Sequence, residues 1–487
     1  MPNYELMMAA LNAVWFLFVI AFGGCVGSLI NVLVYRMPRG LSVVTPPSRC
    51  PKCDTRLSWR DNIPVLGWLI LRGKCRYCSN PISAEYPIVE AVVAGLFGLL
   101  FVAFFVVPPD WNPGGIPIGT IRPEWAENEI TKVWPYLVVV LLLVGSLTAM
   151  TIIDARTFTI PMALTTFPVL VALAIHPLLA TWSQSAPSRR LFHFANENLW
   201  PWVMPIPGPG QEWWIGASIG GCVGLVIAWL LVKFGLLRRS FADYEEWERQ
   251  AVAQANSQAQ APAPQSDALG GSELRAESAL GGSELRAESA ESDTSGRVGD
   301  PTHPQATAGT PDIWIQYPHA RREMFYELLY LAPCLGLLVL GGWLAQHFWG
   351  GSIDAQTGAI RVAAYIPLWV RVIAGVTMGY LVGGGVVWGV RILGSVAFGK
   401  EAMGLGDVHL LAAVGACIGW IDAFLTFFLA AFVGVLWQIA VAVVFRRVNR
   451  AMPYGPYLAV AVLLVLLGKP LIEAGLSRMF GASVNLP

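Results

Sequence analysis

Apolar residues gather into ten long runs, near residues 8–34, 86–107, 135–153, 161–180, 213–234, 325–345, 368–394, 408–420, 424–445 and 457–474. Runs of this kind are long enough to cross ~30 Å of hydrocarbon as helices. The run at 408–420 is the shortest. The pattern predicts an all-α polytopic membrane protein with about ten transmembrane helices.

The polar stretches between the runs set the expected orientation, because Lys and Arg collect on the cytoplasmic side. Between the first two runs, residues 36–83 hold Arg36, Arg39, Arg49, Lys52, Arg56, Arg60, Arg72, Lys74 and Arg76 against only Asp54 and Asp61. This loop is expected in the cytoplasm, with the N-terminus outside. Alternation then brings Asp154, between the third and fourth runs, and Asp407, at the head of the eighth, to the same cytoplasmic face. Lys233, Arg238, Arg239, Arg321, Arg322, Lys400, Arg446, Arg447 and Arg450 agree with this sidedness, whereas Arg189 and Arg190 in the outer loop 181–212 oppose it.

Composition adds weight to the same class. Of 487 residues, 55% are hydrophobic and 13% charged, too little charge to cover a soluble globule of this size. Net charge is zero, which gives no reason to expect a nucleic-acid partner. The start, Met1 to Glu5, lacks a basic n-region, so the first run reads as a retained span.

The chain divides into 1–107, two spans around the loop 36–83; 108–180, the third and fourth spans with Asp154; 181–239, an outer loop and a further span; and 240–315, a linker. Next come 316–365, another span and outer loop, and 366–487, the C-terminal spans with Asp407. The linker is rich in Ala, Gln, Ser, Pro, Gly and Glu, a composition that cannot build a core and predicts disorder. Within it, residues 268–278 are repeated without change as 279–289, the mark of a duplication rather than of a function.

Two features carry chemistry. Cys50-x-x-Cys53 and Cys75-x-x-Cys78 stand 21 residues apart, close to the common four-cysteine zinc pattern. Converging on one Zn²⁺, they would fold a loop too small for a core of its own; with four protein ligands the metal would be structural. Disulfides are the alternative, disfavoured where thiols are kept reduced. Cys25, Cys222, Cys334 and Cys417 lie inside apolar runs and read as small core residues. The second feature is the pair of acids. Either alone would be an ordinary solvated helix cap, but Gly404 and Gly406 before Asp407 permit a sharp turn and close approach by another chain. Asp154 is followed by Ile160-Pro161, with Pro161 set to open the fourth span. Two carboxylates brought together can share a proton and activate water.

Gly404-Leu405-Gly406-Asp407 with Asp154 and Pro161 resembles the paired signature of the prepilin peptidases, membrane aspartic proteases of the GxGD type. Similar matches are Gly27 to Val32, Tyr35 to Pro38, Asp61 to Val65, Leu71 to Cys78, Ile82 to Glu90 and Pro453 to Tyr457. The resemblance implies a bifunctional enzyme of the bacterial inner membrane. It would cut the basic leader from type IV prepilins or type II secretion pseudopilins after a glycine at the cytoplasmic face. It would then N-methylate the new terminus with S-adenosylmethionine. Asp154 and Asp407 would be the catalytic pair, and Glu90 a weaker candidate for methyl transfer, since an acid at a span's start also serves as a helix-end charge. Membrane lipid is the expected surrounding. His409 stands where the family usually has Lys, exchanging a permanent cation for a titrating one. The family more commonly has eight spans, so 213–234 and 325–345 look like an added pair. Other readings are a peptidase without methyl transfer, a proton-coupled transporter with acids inside its spans, and a membrane scaffold docking partners through its zinc loop.

Overall fold

The structure is a computed structural model that describes residues 2–113, 118–127, 129–184, 211–244, 246–247, 249–250, 319–350, 352–353, 360–361, 366–399, 401–445 and 453–481. In hydrocarbon a segment must satisfy its own backbone N–H and C=O groups, so each apolar run becomes a helix. These are α1 (Pro2–Arg36), α3 (Glu85–Phe101), α4 (Ile130–Thr157), α5 (Met162–Gln184), α6 (Gln211–Lys233), α7 (Ala320–Trp349), α8 (Leu368–Phe398), α9 (Leu405–Ile418), α10 (Trp420–Phe445) and α11 (Gly455–Phe480). A short α2 (Leu66–Ile70) lies in the loop after α1. Strands β1 (Ser352–Ile353) and β2 (Ile360–Arg361) pair antiparallel, Ser352 opposite Arg361.

Among the described residues nine helices are long and apolar enough to cross a membrane, and the protein is a multi-pass membrane protein. The eighth apolar run, 408–420, forms α9. Its 14 residues rise about 21 Å, short of a ~30 Å core.

What α9 lacks in length it makes up in enclosure. Val408 and Leu410 through Cys417 are buried, as expected of a helix apolar on every side, and α4, α5, α8, α10 and α11 surround it. The approach of α8 is backbone to backbone: a Cβ on Gly379 would overlap the Gly415 carbonyl, and one on Gly383 that of Leu411. Small residues permit such packing where apolar lipid offers no hydrophobic drive between helices. The pair read as an addition packs by the same device, with Gly216, Gly220 and Gly224 of α6 seated against the backbone of Gly341, Leu337 and Pro333 in α7. Both helices of that hairpin also lie on α8, while α1 and α3 pair and lean on α4.

Residues Phe241–Pro318 form a unit of their own. Its described part opens with Phe241, Tyr244 and Trp247, whose rings meet in sequence at 5.6 Å and 5.6 Å between centroids. The duplicated stretch 268–289, most of the linker assigned to 240–315, and Arg189, Arg190, Arg446, Arg447 and Arg450 lie outside the described residues.

Candidate active site

Asp154 lies in the last turn of α4. The helix stops there because Phe158 takes the left-handed conformation at φ 53°, its N–H closing on the Asp154 carbonyl. Thr157 bonds back to the Ile153 carbonyl at 2.9 Å and meets Thr159 at 2.7 Å. Pro161 follows, with its carbonyl accepting from Leu164 N–H in the first turn of α5. The Asp154 side chain is 6% exposed, and its Oδ2 accepts the backbone N–H of Gly455 at 3.2 Å. Gly455 begins α11, so the positive end of that helix dipole faces Asp154. A Cβ on Gly455 would come within 2.7 Å of Oδ2, which is why the position takes no side chain.

Asp407 sits in the first turn of α9, again at a helix N-terminus, where a negative charge is stabilised. The glycines before it are used differently from the sharp turn expected. Gly404 is extended at φ −69° and ψ 147°, a conformation any residue adopts. Gly406 matters for contact: an added Cβ would meet Ile160 Cβ at 2.9 Å. The head of α9 therefore rests on the residue before Pro161. Asp407 lies within electrostatic reach of Asp154 and of Tyr454, the residue before Gly455. Three stretches distant in sequence, 154–161, 404–407 and 454–455, thus converge at one end of the bundle. His409 turns instead to α8, with Nδ1 3.4 Å from the Tyr380 hydroxyl.

In the loop after α1, the two cysteine pairs form matching knuckles. Cys50 N–H bonds the Thr55 carbonyl and Cys75 N–H the Asn80 carbonyl; Asp54 and Ser79, each four residues past the first cysteine, have φ of 49° and 56°. The four sulfurs lie within 4.8 Å of one another, and Cys50 Sγ is 3.8 Å from Cys78 Sγ, close to the ~3.8 Å edge of a tetrahedron with Zn–S of ~2.3 Å. Backbone N–H groups of Cys53 and Lys52 lower the Cys50 thiol, and those of Cys78 and Tyr77 lower Cys75. The Asn80 N–H lowers Cys78 as well, but burial and the other three thiols outweigh it and push Cys78 up to about 12. Four crowded sulfurs are a donor set that a divalent cation relieves, and these residues could hold a metal.

Glu90 is 9% exposed and has a structural task. Its Oε2 accepts the Val65 N–H at 2.6 Å, and Val65 has φ 60°, unusual for a β-branched residue. Glu90 thereby pins the turn 61–65 to α3. Asp61 within that turn is bound by Arg76 and Ser58, and Glu85 pairs with Arg156, two residues past Asp154. Sequence reasoning missed Gly455 as the partner of Asp154; the Pro453 to Tyr457 motif marked the stretch without saying what it touches.

Residues 21–104 match the bacterial peptidase A24 N-terminal domain, and residues 324–439 match the type IV leader peptidase family. The first match contains the four cysteines and Glu90, the second Asp407; Asp154 lies between them. An 88-residue stretch is 53% identical to the prepilin leader peptidase/N-methyltransferase of Myxococcus xanthus (strain DK1622), covering 18% of this chain and 24% of that protein. Proteins of the same description from Klebsiella pneumoniae and Dickeya chrysanthemi are 41% identical over 91 residues and 31% identical over 175 residues. These cover 18% and 31% of this chain, and 40% and 52% of the relatives. The matched stretches thus span from about a quarter to about half of the relatives' length. The resemblance drawn from the sequence is borne out. No solved structure matches the chain.

Proposed function

We propose that this chain, which carries a type IV leader peptidase domain behind a bacterial peptidase A24 N-terminal domain, cleaves the leader of type IV prepilins or type II secretion pseudopilins. The single observation that carries the proposal is the convergence of Asp154 and Asp407 from α4 and α9 at one end of the bundle. One carboxylate, ionised, takes a proton from water while the other, protonated, polarises the scissile carbonyl; the water oxygen attacks, and the proton passes to the leaving amine. Gly455 N–H holds Asp154 in aim. Gly406 and Ile160 set how deeply the head of α9 approaches α4.

The positive charge of the loop 36–83 supports a cytoplasmic location for this end of the bundle at the inner membrane, with the N-terminus outside. The cysteine knuckles hold structural Zn²⁺ through Cys50, Cys53, Cys75 and Cys78. S-adenosylmethionine would supply the methyl group for the new N-terminus, in keeping with the N-methyltransferase activity for which the relatives are named. Glu90 acts in that half by fixing the turn 61–65. Co-expression with a prepilin, followed by mass spectrometry of the product, tests the reading. The expected product begins just after the leader glycine and carries an added ~14 Da; an uncut prepilin across a panel of type IV and type II substrates contradicts it.

A further inference from the structure

A buried charge cluster on α7 and α8 lies outside the aspartate site. Glu327 of α7 and Arg391 of α8 are 2% and 1% exposed, and Arg391 Nε donates to Glu327 Oε1 at 2.8 Å. The same carboxylate accepts Trp388 Nε1 at 2.8 Å through Oε2, and Ser240 Oγ at 3.1 Å through Oε1. On its far side Arg391 uses Nη1 to bind the Glu401 carboxylate and the Met403 carbonyl. Ser395, fully buried, accepts the Ala402 N–H at 3.1 Å. Residues 401–403 are therefore fixed in succession, by side chain, by N–H and by carbonyl. Met403 stands directly before Gly404.

Charges are costly to bury in an apolar span and persist where they are paired and have a task. Holding α7 to α8 is one task, yet it needs only the Nε contact to Glu327. The Nη1 contacts reach forward to backbone that leads straight into Gly404, Leu405, Gly406 and Asp407. We infer that Arg391 is a positioning residue for the catalytic loop, anchored by Glu327, and that the α6–α7 hairpin is the support which holds that loop in register. The guanidinium fork suits the role because it binds two partners from a rigid plane, which a lysine cannot do. The inference rests on the peptidase reading for its effect on rate, and on geometry alone for its effect on the loop.

Two readouts separate these. The first is kcat and KM for prepilin cleavage by the full chain with Glu327→Gln, Arg391→Lys or Glu401→Gln, with methylation of a leader-free pilin as the check on folding. The second is the rate at which maleimide labels Ala402→Cys, followed by peptide mass spectrometry, in each background. Loss of the anchor is expected to lower kcat about tenfold or more, to leave KM within about twofold and methylation intact, and to speed labelling several-fold. Glu327→Gln combined with Glu401→Gln is expected to be no worse than the more damaging single change, because both act through Arg391. Unchanged labelling overturns the inference, whether or not kcat falls. Faster labelling with unchanged kcat overturns it as well. If wild type itself cuts no prepilin, the peptidase reading fails, and labelling alone decides whether Arg391 holds the loop.

Discussion

Gly455→Ala is the sharpest perturbation of the aspartate site, because it adds one methyl group and removes nothing. The new Cβ would stand 2.7 Å from Asp154 Oδ2 and 3.4 Å from its carboxyl carbon, so the carboxylate must swing away and lengthen its 3.2 Å bond from the Gly455 N–H. A hydrogen bond to a charged group contributes about 1.5–3 kcal/mol, and each 1.36 kcal/mol is about tenfold in rate. The expected loss in kcat is therefore about ten- to a hundredfold, with KM little changed. The assay is steady-state cleavage of a prepilin in detergent or lipid, with Gly468→Ala as control. Gly468 lies on the same helix with nothing within 4 Å of an added Cβ, and its variant should cut like wild type. A Gly455→Ala enzyme with wild-type kcat would refute the idea that α11 aims Asp154.

Metal analysis should find about one zinc ion per chain, lost with Cys50→Ser or Cys75→Ser, and hydrogen exchange across residues 48–82 should then rise to that of an unfolded segment. Burial raises the Asp61 carboxyl, but the bonds from Arg76 and Ser58 outweigh it and hold the group below its ordinary 3.8. Its contribution is thus present at neutral pH and fades as pH falls through the folded value, so Asp61→Asn should loosen the loop at pH 7 and differ progressively less from wild type in acid. Gly379→Ala drives a Cβ into the Gly415 backbone and should cost about 1–3 kcal/mol or more in thermal unfolding, whereas Gly385→Ala, with open space around it, should not.

The spans and the site were unequally legible in the sequence. Hydropathy locates a membrane helix because length and apolarity are all that lipid demands, and the runs became helices at nearly the boundaries expected. It fails at α9, where an equally apolar segment is short because protein, not lipid, surrounds it. The cysteine knuckles could be read because a four-sulfur site is encoded locally, in two spacings. Asp154 and Asp407 stood out as acids at the ends of apolar runs, but their partners did not. Gly455 lies 301 positions from Asp154, and the Glu327–Arg391 pair spans 64; no periodicity connects residues so far apart. The glycines before Asp407 show a subtler limit. The sequence suggested backbone freedom, whereas Gly406 is needed for its missing side chain beside Ile160.

The central claim is that two aspartates act as one unit. The most direct measurement is the cleavage rate of wild type, Asp154→Asn, Asp407→Asn and the double variant on one prepilin, with membrane yield and zinc content showing that each is folded. Asn keeps the shape and cannot exchange the proton. The account predicts that each single variant loses about a thousandfold or more and that the double variant is no slower than either, since residues acting as a unit are non-additive. A single variant that cuts at the wild-type rate, or losses that multiply in the double, would contradict it.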